Sequence, residues 1–163
     1  MTVDPRSEAK QELRRRLRER RSRVSPEERD RASGVIARRL FEWIDLDGMR
    51  AVHVYRSVPA WGEIDSDEIV TRIRATWPAV EIVAPDLRAD QPIPTQGFDL
   101  IVVPVLGFDD RNLRLGLGAG FYDRFLATQP DALKVGLAYA WAKLDAVPDE
   151  PHDVALDMVV TEG

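Results

Sequence analysis

Residues 99–104, Asp-Leu-Ile-Val-Val-Pro, are the feature that most limits how this chain can fold. The run is short and almost continuously apolar, which is typical of a strand covered on both faces. Further strand patterns occur at residues 51–55, 80–84, 134–139 and 156–160, and helical patterns lie between them. This alternation predicts an α/β fold, a three-layer α/β/α domain with a largely parallel central sheet. Ligands of such sheets bind beyond the carboxyl ends of the strands.

Two helices should precede the first strand. Residues 7–24 carry many charges and a narrow apolar stripe at helical spacing, so we expect this helix to bury one face. Ser25 and Glu28 have the spacing of a capping box and should open a second helix, which Gly48 should end. Two later helices are predicted over residues 66–77 and 120–127.

Composition narrows the class of protein. The chain has 163 residues, which suits one domain over residues 1–163. It has no cysteine, which excludes disulfides and thiol nucleophiles and is consistent with a cytoplasmic protein. The opening residues do not resemble a signal peptide, and no apolar run is long enough for a membrane span, so no membrane partner is expected.

Charge is unevenly distributed along the chain. The net charge of −5 combines +4 in residues 1–50 with −9 in the remainder. The basic first part could contact nucleic acid, an anionic ligand or the protein's own acidic body. Because the total is acidic, nucleic acid is not the expected partner.

The motif with the clearest chemical meaning lies just before the last predicted helix. Gly116, Gly118 and Gly120 alternate there, and glycine lets the backbone adopt unusual dihedrals and approach an anion closely. Free N–H groups at a helix start favour phosphate. The spacing matches neither a dinucleotide-binding fingerprint nor a Walker loop, so a tight loop without a ligand remains the alternative.

Asp123 strengthens the case for phosphate. In the first turn it could simply complement the helix dipole. Beside phosphates, a carboxylate would be repelled unless a cation lay between them, and Mg²⁺ is the usual bridge. Arg114 and Arg124 could instead neutralise phosphate directly, although Arg124 could equally be a solvated helix charge.

Three separated blocks resemble the 5-formyltetrahydrofolate cyclo-ligase family, also called methenyltetrahydrofolate synthetases. The glycine block reads RLGLGAGFYDRFL and is preceded by FDLIVVPVLGFDD. The closing block reads EPHDVALDMVVTE, and the opening block reads EAKQELRRRLRERR. The likeness covers residues 8–45 and 99–162, with a shorter match at residues 63–65.

The resemblance implies a site for each ligand. Lys10 and Arg14 match a nucleotide-binding pair four residues apart, on one helical face. The matched ATP-binding residues are Lys10, Arg14, Arg114, Gly116, Leu117, Gly118, Ala119, Gly120, Phe121 and Tyr122. Lys10 and Arg114 are the candidate catalytic residues, whereas Arg15 and Arg18 are expected to be solvated.

The remaining matches concern folate and metal. Glu63 matches the residue that contacts the pterin-like ring, and Tyr122, which lies beside the implied phosphate cradle, is the second candidate substrate-binding residue. Asp123 and Asp153 match the Mg²⁺ ligands, with a turn-capping role as the alternative for Asp153. His152 is expected to be a turn residue and His53 a core residue.

The implied activity is that of a ligase of one-carbon metabolism. It uses ATP and Mg²⁺ to convert 5-formyltetrahydrofolate, a reduced folate, to 5,10-methenyltetrahydrofolate with release of ADP and phosphate. Such phosphoryl transfer rests on positioning and charge neutralisation. A monomer or weak homodimer is expected.

One departure from the family pattern matters. The segment between Pro85 and Asp99 is much shorter than is usual in the family and belongs to the folate half of the implied site. Trp61 could supply apolar surface for the pterin or could be core. The main alternative is therefore a divergent nucleotide-binding paralogue with a different substrate and a shortened folate pocket. A weaker alternative is an RNA- or protein-binding role for the basic first helix.

Overall fold

A computed structural model describes residues 3–84 and 92–163. Its helices are α1 (Pro5–Arg21), α2 (Pro26–Trp43), α3 (Asp67–Thr76) and α4 (Phe121–Ala127). Its strands are β1 (Ala51–Val54), β2 (Glu81–Val83), β3 (Leu100–Pro104), β4 (Gly107–Phe108), β5 (Arg114–Leu115), β6 (Leu133–Leu137) and β7 (Met158–Val160). Short 3₁₀ turns cover Pro59–Trp61 and Ala140–Ala142.

The predicted parallel sheet is confirmed. Five strands pair in the order β2-β1-β3-β6-β7, and every pairing is parallel. The chain passes from β1 outward to β2 and then returns to β3 on the other side of β1. In α/β sheets this reversal opens a crevice at the carboxyl ends of the two central strands.

The apolar run of residues 100–103 in β3 is fully buried at the centre of this sheet. His53 of β1 points toward α4, where its ring lies 4.9 Å from that of Phe125. Because side chains alternate along a strand, Val52 and Val54 point to the opposite face. Helices therefore cover the sheet, and the same apolar core includes buried residues of α2 and α3. The prediction that His53 is a core residue is confirmed.

The start of α2 follows the predicted capping chemistry. The Ser25 hydroxyl accepts a hydrogen bond from the Glu28 N–H at 3.1 Å, as the capping-box pattern predicts. The prediction that α2 continues to Gly48 is wrong, because the helix ends at Trp43. Ile44 turns extended, and from there buried and exposed residues alternate with the period of an extended chain.

Two features near the carboxyl edge were not predicted from the sequence. Strands β4 and β5 form a two-stranded antiparallel hairpin, and each strand is too short to show a pattern. Leu17 of α1 packs with Leu106, Leu115 and Val147 in a small apolar cluster around this hairpin. This contact holds α1 next to the glycine-rich segment.

The shortened segment begins at Pro85, and residues 85–91 lie outside the described residues. Among the described residues, no helix combines the length and apolar character needed to cross a lipid bilayer.

Candidate active site

A cavity of about 570 Å³ opens at the carboxyl edge of the sheet, beside Pro104 at the end of β3. Every predicted site residue except Asp153 lines it. These are Lys10, Arg14, Glu63, Arg114, Gly116, Leu117, Gly118, Ala119, Gly120, Phe121, Tyr122 and Asp123. Other lining residues are Ser7, Arg21, Trp61, Leu106, Glu150 and His152. The fold thus brings together residues from the three separated sequence blocks.

The glycine loop, residues 116–120, connects β5 to α4. Gly118 and Gly120 have φ values of +104° and +71°, in the region that side-chain-bearing residues rarely adopt. At Gly116, an added Cβ would clash with Arg114 Nη2, so the loop passes directly over that guanidinium. Glycine is therefore required for backbone conformation at two positions and for close approach at the third.

Three arginines bind carbonyl groups of the glycine loop. Arg14 Nε donates to Gly116 O at 3.0 Å, and Arg18 Nη2 donates to Leu117 O at 2.7 Å. Arg124 Nη1 donates to Ala119 O at 3.0 Å. The expectation that Arg18 is only solvated is therefore wrong, because its exposed side chain reaches the loop from one turn beyond Arg14.

These contacts orient the loop's amide groups. In a trans peptide the N–H points away from the carbonyl of the preceding residue. The N–H groups of residues 117, 118 and 120 therefore point away from the arginines that hold the carbonyls. Within the part of the chain that the structure describes, these three amides donate to no acceptor. Free N–H groups in a glycine-rich loop are suited to bind an anion.

Lys10 lies in a small charged cluster at the other side of the cavity. Its Nζ is 2.6 Å from Asp153 Oδ2 and 2.8 Å from Glu150 Oε2. Burial lowers the pKa of Lys10, but the two carboxylates outweigh it and raise the pKa above its ordinary value. Asp153 also accepts from the Glu150 N–H at 2.9 Å, so it caps the turn as well as pairing with Lys10.

The predicted metal ligands lie close together. Carboxylate oxygens of Asp123 and Asp153 and a ring nitrogen of His152 are all within 4.8 Å of one another. Two carboxylates fit Mg²⁺, which prefers oxygen ligands, whereas imidazole suits softer metals. His152 lies in a turn, as predicted, with 66% of its side chain exposed.

Arg114 is the buried cation beneath the glycine loop. Its Nη2 donates to Pro104 O at 3.3 Å, and its Nη1 lies 4.0 Å from Asp123 Oδ1. The guanidinium lies over the Tyr122 ring, 5.3 Å from its centre. Burial lowers the pKa of Arg114, and the nearby Asp123 carboxylate partly offsets this effect. The side chain is held on several sides, which fixes a positive charge at the cavity wall.

Glu63 lines the cavity and is only 5% exposed. Its Oε2 accepts from the Val58 N–H at 2.7 Å. Burial raises the pKa of Glu63, opposed by the Val58 N–H and by the charges of Arg21 and Arg29. Trp61 is not core, since it is 52% exposed and lines the cavity.

Sequence reasoning missed Arg21 and Glu150. Arg21 lies seven residues after Arg14, on the same face of α1 as the buried Lys10 and Leu17, so helical periodicity was the signal. Glu150 lies three residues before Asp153 in the same matched block. Nothing in the sequence indicates that it pairs with a lysine 140 residues away.

The fold and the site together define an α/β domain with a glycine-rich loop and two neighbouring carboxylates at the carboxyl edge of its parallel sheet. The family model for the 5-formyltetrahydrofolate cyclo-ligase family matches residues 6–94 and 75–162. The chain therefore belongs to the 5-formyltetrahydrofolate cyclo-ligase family.

Relatives and solved structures agree with this assignment. A 5-formyltetrahydrofolate cyclo-ligase of Mycoplasma pneumoniae is 38% identical over 101 residues, covering 57% of this chain and 58% of that protein. A 5-formyltetrahydrofolate cyclo-ligase of Mycolicibacterium smegmatis is 45% identical over 64 residues, which cover 39% of this chain and 33% of that protein. These alignments span less than two thirds of the relatives' lengths.

The fold comparison extends further along the chain. A solved 5,10-methenyltetrahydrofolate synthetase from Mycoplasma pneumoniae has a TM-score of 0.79 at 24% identity, covering 94% of this chain and 99% of that one. A 5,10-methenyltetrahydrofolate synthetase from Aquifex aeolicus has a TM-score of 0.75 at 27% identity, covering 94% of this chain and 89% of that one. The fold of this chain thus extends over nearly the whole of the Mycoplasma structure.

Proposed function

We propose that this protein is a ligase that uses ATP and Mg²⁺ to convert 5-formyltetrahydrofolate to 5,10-methenyltetrahydrofolate, releasing ADP and phosphate. The observation that carries the proposal is the row of free amides in the glycine loop, which shares one cavity with Lys10, Arg114 and the Asp123 carboxylate. Family membership supplies the substrates.

The glycine loop and its neighbours form the ATP half of the proposed site. The free amides of residues 117, 118 and 120 would bind phosphate oxygens, and Arg14 holds the loop in position. The Arg114 guanidinium is already held in place, so it need not reorganise during the reaction. A preorganised charge of this kind stabilises developing negative charge most effectively. Lys10 adds a second cation from α1.

The Asp123 and Asp153 carboxylates would hold Mg²⁺. When bound, the ion would neutralise phosphate charge and allow these carboxylates to lie beside phosphate oxygens. Lys10 already lies against Asp153, so the lysine and the ion would share this acidic partner. The turn that Asp153 caps keeps the carboxylate in place.

Glu63, Tyr122 and Trp61 form the proposed folate half. A buried carboxylate can accept hydrogen bonds from the donor edge of a pterin-like ring, and Trp61 offers an apolar face at the cavity mouth. Burial raises the pKa of Tyr122, and its hydroxyl lies 3.3 Å from His53 Nε2. Tyr122 is therefore a neutral wall of the site that separates the folate half from the core.

The reaction needs no covalent nucleophile from the protein. The formyl oxygen attacks the γ-phosphorus, ADP leaves, and an imidate phosphate forms. N10 of the folate then attacks the imidate carbon and releases its proton to solvent, and phosphate leaves with the C–O bond electrons. The protein's task is to align the formyl oxygen with the phosphate and to neutralise charge. In comparable sites such effects lower the activation barrier by several kcal/mol. A cytoplasmic location and a monomeric or weakly dimeric state stay predictions from the sequence.

The test is the rise of methenyltetrahydrofolate absorbance when purified protein receives 5-formyltetrahydrofolate, ATP and Mg²⁺. Lys10→Ala should lose the activity, whereas Lys143→Ala, which removes an exposed lysine paired with Asp110, should keep it. If the wild-type protein binds ATP but forms no product at saturating folate, the divergent-paralogue alternative replaces this proposal.

A further inference from the structure

Arg21, the last residue of α1, is a buried cation whose role the proposed reaction does not explain. It is only 6% exposed, and its Nε is buried without a hydrogen-bond acceptor among residues 3–84 and 92–163. The side chain lines the main cavity and an adjoining one of about 470 Å³. Because a buried charge without hydrogen bonds is costly, this arrangement points to a ligand that supplies an acceptor.

Arg21 lies beside the segment that carries Glu63. A Cβ on Gly62 would lie 3.1 Å from Arg21 Cγ, so the arginine stem packs directly on this glycine. The positive charge of Arg21 also acts on Glu63, where it opposes the rise in pKa that burial causes. A buried donor group and a buried acceptor group therefore line the same cavity.

Glu63 has one oxygen left for a ligand. Val58 N–H takes Oε2, which leaves Oε1 as the acceptor that can face the cavity. A carboxylate next to a guanidinium is complementary to a flat ring edge that carries N–H donors followed by a carbonyl oxygen. The pyrimidine edge of a reduced pterin has this pattern, with a 2-amino group, an N3–H and a 4-oxo oxygen.

We propose that Arg21 is a substrate-specificity residue that donates to the 4-oxo oxygen of the reduced pterin while Glu63 accepts from its N–H groups. This inference rests on the proposed function, since it assumes a folate in the cavity. A carboxylate of the folate's glutamate tail is the other acceptor available. The ring edge is favoured because Arg21 is buried beside Glu63, whereas a tail leaving the cavity would meet exposed residues such as Arg18.

The test compares Arg21→Met and Arg21→Lys with Arg23→Met, which removes a 75%-exposed arginine paired with Glu19. Calorimetric titration should measure the Kd of 5-formyltetrahydrofolate and of a 5-formyltetrahydropterin that lacks the benzoylglutamate tail. Arg21→Met should raise both Kd values by about tenfold or more, the usual effect of losing a hydrogen bond to a charged donor. The Kd of ATP should stay unchanged, as should all values for Arg23→Met.

A second measurement uses the 4-amino analogue of the folate, which presents a donor where the oxo group was. Wild-type protein should prefer the 4-oxo compound, and Arg21→Met should largely lose this preference. A different result would overturn the inference in favour of a tail contact: Arg21→Met raises the Kd of the tailed folate but leaves the Kd of the tail-free pterin unchanged.

The outcomes separate this inference from the proposed function. If wild-type protein binds no folate, the proposed function itself fails. If wild-type protein binds folate and both Arg21 variants bind it equally well, only the role of Arg21 is wrong. Thermal unfolding checks that the variants fold; should Arg21→Met not fold, Arg21→Lys keeps the charge and stem and must still show weaker binding of both ligands.

Discussion

Valine at position 118 should abolish most ATP binding while the fold persists. Gly118 has a φ of +104°, and for a side-chain-bearing residue a left-handed conformation costs about 1–2 kcal/mol. An added Cβ would also lie 3.4 Å from the Cζ and Nε atoms of Arg14, so the branches of valine would press on the guanidinium that holds the loop. The loop must relax, and its amides then shift from the positions that the arginines fix.

The size of the effect follows from the strain. If only the 1–2 kcal/mol of backbone strain opposes binding, ATP affinity falls roughly five- to thirtyfold. If the folded protein instead retained all of this backbone strain, its stability would fall by the same 1–2 kcal/mol, and Tm should fall by at most about 8 °C for a chain of this size.

The assay is titration of the purified variant with ATP or a non-hydrolysable analogue, with thermal unfolding measured on the same sample. Gly97→Val is the matched control, because a Cβ at Gly97 meets open space and its backbone does not require glycine. A folded Gly118→Val protein that binds ATP as tightly as wild type would refute the glycine-loop cradle.

Three further perturbations test other parts of the site and the core. Asp123→Asn should raise the Mg²⁺ concentration needed for turnover, while the lost helix-dipole contribution changes stability by about 1 kcal/mol or less. Lys10→Ala should lower the free energy of unfolding by about 3 kcal/mol, measured by denaturant titration, because it leaves the partly buried Asp153 and Glu150 carboxylates without a cation. Burial lowers the pKa of His53 from 6.5 to about 4, so the unfolded chain takes up its proton first as pH falls. About 3 kcal/mol of stability should therefore be lost between pH 6.5 and pH 4, and His53→Phe should flatten this part of the stability curve.

Each of these expectations has a contrary result. Normal activity of Asp123→Asn across a Mg²⁺ titration would show that Asp123 is only a helix-end charge, and the exposed Asp131→Asn serves as control. Wild-type stability of Lys10→Ala would show that the charged cluster contributes little. An unchanged pH slope in His53→Phe would assign the acid sensitivity to other groups.

Local patterns in the sequence were enough to predict the sheet and the central loop. The apolar run of β3 needs both faces covered wherever it is placed, and the glycines at 116, 118 and 120 allow backbone conformations that other residues resist. The short strands β4 and β5 could not be predicted, because two residues carry no period. The end of α2 was misplaced because burial of Ile44 and Leu46 overrode the glycine signal at Gly48.

Packing between remote segments produced the remaining features of the site. Arg14 and Arg18 reach the glycine loop only because α1 docks on the β4-β5 hairpin, and Lys10 meets Glu150 across 140 residues of sequence. Whether an arginine is solvated or bonded to a carbonyl depends on which surface faces it. A sequence pattern records residue type and period but not which surface faces a side chain. The sequence therefore reveals the kinds of groups present, whereas the packing of the folded layers sets the distances between them and their electrostatic surroundings.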